Sequence, residues 1–122
     1  LYCIRRLDDH VSVSAVKNET HYLHEIKPNV QPIGIYDKDE PFTTHTVHIE
    51  QGTSVYLFTD GYSDQFGGPR GKKLKSKNFK RLLLENFHLE PANQKIILDQ
   101  EFDKWRGEFE QVDDVCVIGL KF

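Results

Sequence analysis

Two acidic segments, far apart along the chain, carry the residue types that hold hard cations. The first is Asp60-Gly61-Tyr62-Ser63-Asp64, which follows the apolar run Val55-Tyr56-Leu57-Phe58. Such a run reads as a buried strand. A carboxylate displayed where the strand stops, beside a glycine that tolerates unusual backbone angles, is a common way to offer oxygen to a metal. The second segment is Asp113-Asp114, which leads straight into another apolar run. Mg²⁺ and Mn²⁺ favour carboxylate and water ligands. A two-metal hydrolase holds its ions about 3.5–4 Å apart and makes a bound water acidic enough to ionise near neutrality. These two segments look like half of such a site. Plainer readings stay open here, since Asp-Gly is a common turn pair and an acidic pair before a strand can be a solvated turn. Thr59, Asp60, Ser63 and Asp64 crowd oxygens at one strand end and favour the metal.

A basic run follows. Arg70, Lys72, Lys73, Lys75, Lys77, Lys80 and Arg81 occur with no acidic residue between Gln65 and Leu84. It is either a solvated face or a docking patch for an anionic, phosphorylated partner. Lysines near a helix start oppose the helix dipole, so local stability does not account for them. Nucleic acid fits poorly. The chain carries a net charge of −3, and the only aromatic within the run, Phe79, belongs to an apolar helical stripe rather than to a base-stacking surface.

The 6 histidines are scattered. His21 and His24, like His45 and His48, are spaced to face opposite sides of a strand, so no zinc cluster emerges. The 2 cysteines, Cys3 and Cys116, sit in strand-like runs and read as small buried hydrophobes in a reducing, cytoplasmic setting. No apolar stretch approaches the ~20 residues that cross a bilayer. The 122 residues suffice for one domain with a modest core. Methionine is absent, and Leu1-Tyr2-Cys3-Ile4 already reads as strand, so the chain is expected to be part of a longer protein.

The elements that must position these residues follow from periodicity. Strands are expected at 1–5, 11–16 and 22–26, with a polar turn at 7–10 and a long irregular connection over 27–41. Residues 43–49 alternate and turn through Gln51-Gly52 into a strand over 54–59. That strand and the final one, 115–122, are apolar on both faces and are expected to be neighbours in a sheet covered on both sides. Two helices lie between them. One starts at Ser76, a candidate cap, and aligns Phe79, Leu82, Leu83 and Phe87. The other starts near Pro91, aligns Leu98, Phe102 and Trp105, and stops at Gly107. Gly67-Gly68-Pro69 reads as a flexible turn. The expected class is α+β, a mostly antiparallel sheet with two helices before the last strand.

The stretch Ser54 to Gly68 strongly resembles the late motif of SpoIIE-like serine phosphatases, a bacterial branch of the metal-dependent type 2C protein phosphatases. Pro32-Ile33-Gly34 matches that branch's preceding Pro-Leu/Ile-Gly element. Trp105-Arg106-Gly107, with Glu110 through Gly119, resembles its closing motif. The resemblance covers nearly the whole chain in the family's order and spacing. It implies an α-β-β-α sandwich, of which residues 1–122 would be the C-terminal portion of a single domain lacking its N-terminal half. It also implies hydrolysis of phosphoserine or phosphothreonine on a regulatory partner, in some members an anti-anti-sigma factor, by a metal-activated water. Asp60 and Asp113 would ligate a pair of Mn²⁺ or Mg²⁺ ions, with Asp114 as the substitute if the register shifts by one. Gly61 would let the backbone turn close to the ions, and no catalytic residue is implied beyond the metal ligands. Arg70, Lys72, Lys73 and Lys75 would bind the phosphorylated substrate. The family's other ligands lie in Gly-Asp and Asp-x-x-Gly-His-Gly motifs that these residues do not contain, so the two-metal site is incomplete and the chain alone is expected to be inactive. The alternative is a non-catalytic phosphatase-like module that binds phosphoproteins through the basic patch. Unpaired sheet edges predict self-association, with a homodimer the expected form.

Overall fold

The computed structural model describes residues 1–6, 16–31 and 40–122. The expected strand at 11–16 (apart from Val16), the turn at 7–10, His10 and the Pro32-Ile33-Gly34 element lie outside the described residues.

Strands β1 (Tyr2–Arg6), β2 (Val16–Lys17), β3 (His21–Glu25), β4 (Ser54–Phe58) and β7 (Val117–Lys121) form one sheet in the order β2-β3-β1-β4-β7. All its pairings are antiparallel. Between β4 and β7 the chain makes a short helix α1 (Gly61–Asp64), a two-stranded ribbon of β5 (Phe66–Gly67) and β6 (Lys72–Lys73), and the helices α2 (Ser76–Asn86) and α3 (Pro91–Arg106). The α+β class and the mostly antiparallel sheet are as expected. One helix more than expected precedes the last strand, because α1 has 4 residues, too few to register as a period.

Alternation within the strands sends Tyr2, Ile4, Leu23 and Tyr56 to the face on which the helices pack, and these close on Tyr62, Phe79, Leu83, Leu84 and Phe102. Phe79 is fully buried. The Tyr62 ring stacks on it at 4.5 Å and lies 5.1 Å from Phe102, so α1, α2 and α3 meet through one aromatic cluster. Burying each such ring stabilises the fold by roughly 1.5–3 kcal/mol before cavity terms are added.

β4 and β7 are neighbours, as their shared apolar character predicts, with Tyr56 opposite Gly119 and Leu57 opposite Ile118. They are not covered on both sides. Leu57, Ile118 and Leu120 are 46, 50 and 46% exposed on the face away from the helices, and β7 is the sheet's edge. Residues 43–49 are not a strand. The reason is topological: β1 and β7 occupy both edges of β4, so a hairpin from 43–49 has no free edge to join. Asn29 instead ties down this segment by bonding both the amide and hydroxyl of Thr43, and Arg5 donates to the His48 carbonyl.

The helix ends differ in how well they match expectation. α3 starts at Pro91 and ends at Gly107, whose φ of +54° suits a residue without Cβ. α2 starts at Ser76, but the cap position is Lys75, with φ of +72° and no side-chain cap bond. The basis for this start is tertiary: Lys75 N–H donates to Ser63 O and Leu74 N–H to Gln65 O, which docks the ribbon on α1. Cys3 is buried in β1, inside the sheet, whereas Cys116 is exposed beside the edge strand β7, most of whose residues are exposed as well.

Candidate metal centre

β4 and β7 run antiparallel, so the end of one lies beside the beginning of the other. Phe58 pairs with Val117, the last rung of the ladder. Asp60 and the Asp113-Asp114 pair therefore emerge at the same rim of the sheet.

Thr59 fastens the two segments together. Its amide donates to the Cys116 carbonyl at 3.1 Å. Its hydroxyl donates to the Asp114 carbonyl at 2.7 Å and accepts from the Cys116 amide at 3.0 Å. Gly61 then packs directly on the acidic arm. A Cβ built on Gly61 would sit 2.4 Å from the Asp114 carbonyl oxygen, inside any permissible contact. Only glycine lets the two backbones approach this closely. Further along, buried Gln65 donates through Nε2 to the Glu110 carbonyl at 2.8 Å and so holds the approach to the acidic arm as well.

The carboxylates themselves face solvent. Asp60 occupies the cap position of α1 yet makes no side-chain capping bond; its backbone carbonyl accepts from the Asp64 amide and the Ser63 hydroxyl. Asp113 Oδ1 accepts from the Asp114 amide at 2.8 Å, and Gln111 donates to the Asp113 carbonyl, which fixes the turn entering β7. The donor set is all oxygen, accessible, and free of an ion pair at Asp60, Asp113 and Asp114 among the described residues. That chemistry suits a hard dication. Among the described residues no group of three or more His, Cys, Asp or Glu side chains gathers, so these aspartates would be part of a ligand set rather than a whole one.

The basic residues are placed beside this rim but do not form one uniform patch. Lys73 is spoken for, pairing with Asp64 at 2.8 Å with its ammonium 5.9 Å from the Phe66 ring centre. Lys80 pairs with Glu25 at 2.7 Å, and Arg81 approaches Glu85. Arg70, Lys72, Lys75 and Lys77 are exposed and have no carboxylate partner among the described residues. The ribbon that carries Lys72 is held against α1, so these cations flank the segment that begins at Asp60.

Gly67-Gly68 is more than a flexible turn. Gly68 N–H donates to the Trp105 carbonyl at 2.8 Å, the Trp105 indole donates to the Gln65 carbonyl at 3.0 Å, and a Cβ on Gly67 would overlap the Trp105 carbonyl. Trp105 thus anchors the ribbon from the end of α3. Periodicity alone assigns it to the helix stripe, and no pattern in the sequence links it to a residue forty positions earlier.

The sequence model of the family described as "Stage II sporulation protein E (SpoIIE)" matches residues 9–122. Among solved structures, the chain is similar to the SiaA-PP2C domain of Pseudomonas aeruginosa, with a TM-score of 0.64 and 26% identity. The match covers 68% of this chain and 34% of that one, so the chain aligns with about a third of that chain's length. No curated protein matches.

Proposed function

The chain belongs to the SpoIIE family of PP2C-type phosphatases, and on that premise we propose that it contributes part of the metal centre of a serine/threonine protein phosphatase. The observation that carries this reading is the close approach of Gly61 to the Asp114 carbonyl, secured by Thr59, which sets two remote acidic segments at one rim. In this reading residues 1–122 are the C-terminal portion of one phosphatase domain, and the remaining ligands come from motifs outside it.

Asp60 and Asp113 are the ligands proposed for Mn²⁺ or Mg²⁺, with Asp114 next in register. When bound, the ions would supply Lewis acidity toward the phosphoryl group and an activated water. The chain's own residues do the positioning. Thr59 holds the two strand ends at fixed separation, and Gly61 keeps the acidic arm close. Gln65 and Trp105 anchor the elements on either side. Arg70, Lys72 and Lys75 would draw in the phosphorylated partner by charge; Lys73 serves first to brace Asp64, so its share in substrate binding is the smallest. The proposed substrate is a phosphoserine on a regulatory protein, with an anti-anti-sigma factor as the type. The unpaired edge of β7 supports self-association, with a homodimer as the proposed form.

The test is Mn²⁺-dependent hydrolysis of a phosphoserine protein by the complete domain, compared with Asp60→Asn and Asp113→Asn. A neutral amide is a poor ligand for a hard dication, so each variant is expected to lose turnover while its unfolding midpoint barely moves. The chain of 122 residues alone is expected to turn over little or none. Full activity in either variant would refute the assignment. Phosphoprotein binding without turnover by the complete domain would favour the non-catalytic module.

A further inference from the structure

The helix-covered face of the sheet is not packed solid. Between α3 and the β4–β7 pair lies a hollow of about 290 Å³, close to the lower end of the range in which small-molecule sites occur. Its two ends differ. Register places Ser54 opposite Lys121 on β7, and Lys95 of α3 lines the same hollow. Leu98, Tyr62, Phe102, Val115 and Val117 supply an apolar body toward the other end, where the Tyr62 hydroxyl donates to the Leu98 carbonyl, and Asp99 also lines the hollow. Gly119 contributes no side chain between Val117 and Lys121, which helps keep the space open.

The Ser54 hydroxyl is the informative group. Ser54 is 1% exposed, and its Oγ makes no hydrogen bond. It lies near enough to the Tyr56 phenol to oppose part of the upward pull of burial on that group, but no bond of acceptable geometry links them. Tyr56 instead donates to Gln94 Oε1 at 2.7 Å, and Gln94 spends its amide protons on the Phe87 and Leu89 carbonyls. A buried hydroxyl left unpaired is costly. Here it lines a hollow whose near end also carries two lysines. Lys121 is partly engaged, 4.0 Å from Glu90 and donating to the His88 carbonyl, whereas Lys95 is exposed with no carboxylate in ion-pair range among the described residues.

We infer that this hollow is a binding site for a small amphipathic monoanion, an apolar ring bearing one carboxylate. The carboxylate accepts from Ser54 Oγ and faces Lys95, and the ring lies among Leu98, Tyr62 and Phe102. The site is separate from the acidic rim, and the inference does not depend on the phosphatase reading. Val115, at the apolar end, directly follows Asp114, so an occupant touches the segment that carries the acidic arm.

The test uses 3-phenylpropionate titrated into the ¹⁵N-labelled chain and followed by NMR. Saturable shifts are expected at the amides of Ser54, Leu98 and Val117. Ser54→Ala should weaken binding about tenfold, the usual effect of losing a hydrogen bond to a charged group. Lys95→Ala, on an exposed helix surface, should weaken it and flatten its dependence on salt. The uncharged 3-phenylpropan-1-ol should bind several-fold less tightly than the acid. No saturable binding, shifts centred on Leu57 and Ile118 on the opposite face, or unchanged affinity in both variants would overturn the site. Equal affinity for the alcohol would overturn the anion.

Discussion

At the scale of single residues, the position with least freedom is Gly61. Adding one methyl there drives a carbon into the Asp114 carbonyl at 2.4 Å, and a backbone atom cannot swing aside as a side chain would. Gly61→Ala should therefore push the acidic arm away from Asp60. Urea unfolding should register a loss of roughly 1–3 kcal/mol, the usual cost of overpacking, and Mn²⁺ affinity should fall with it. Gly52→Ala is the control. Its φ of +88° makes alanine strained, but nothing lies within 4 Å, so metal binding should be untouched. A second residue-scale prediction reverses a sequence expectation. Leu57 reads as core from its apolar neighbours, yet it is 46% exposed. Leu57→Ala should accordingly cost well below the 2–5 kcal/mol of a core truncation, whereas Phe79→Ala, fully buried, should cost about 3–5 kcal/mol. Asp60 and Asp113 could be picked out from sequence because their residue types state the chemistry. Thr59 could be picked out only as one more oxygen, because its role lies in two bonds to residues more than fifty positions away.

At the scale of elements, the β4–β7 pairing does the positioning, and Thr59 closes it at the rim. Thr59→Val keeps the shape and removes the hydroxyl that joins Asp114 to Cys116. Thermal unfolding should fall by the equivalent of about 1 kcal/mol, the typical net worth of such bonds where water competes. The amides of 114 and 116 should also lose hydrogen-exchange protection. Strands β1, β3, β4 and β7 and both long helices were legible because each carries a period or a sharp boundary: Pro91 and Gly107 bracket α3 almost to the residue. The failures have physical causes. Residues 43–49 alternate like a strand, but β4 has no edge left to offer them. The start of α2 is set by bonds from Leu74 and Lys75 to α1, not by a Ser76 cap. The ribbon of β5 and β6 contributes 2 residues to each strand, and it exists because Trp105 pins Gly67-Gly68.

At the scale of the whole molecule, one face of the sheet holds the helices and an aromatic core, while the rim carries the acids and the cationic ribbon. That core has a signature in pH. Burial pushes the Tyr56 phenol up to about 12, and burial together with Glu25 does the same for Tyr2. A phenol whose pKa rises on folding holds its proton more tightly in the folded state than in the unfolded chain. Its contribution is complete below the ordinary value of 10 and is lost as pH climbs from 10 toward 12. Denaturation midpoints should thus hold steady up to about pH 9.5 and drop across that window. Tyr56→Phe should soften the drop, at the expense of the bond to Gln94. Fold class was legible at this scale because the main strand patterns come first, two long helical patterns follow, and one strand returns. The open face and the hollow beneath α3 were not, since both depend on which side of β7 each residue takes.

The central claim is that Asp60 and the Asp113-Asp114 arm grip divalent ions together. Paramagnetic broadening by Mn²⁺ in the ¹⁵N-labelled complete domain tests it most directly, because it reads distance to the ion at every amide. Amides of 60–64 and 113–116 should broaden at the same low Mn²⁺ concentration, and Asp60→Asn should abolish the effect at both segments at once. Broadening confined to one segment, or centred on the surface acids of α3, would contradict it.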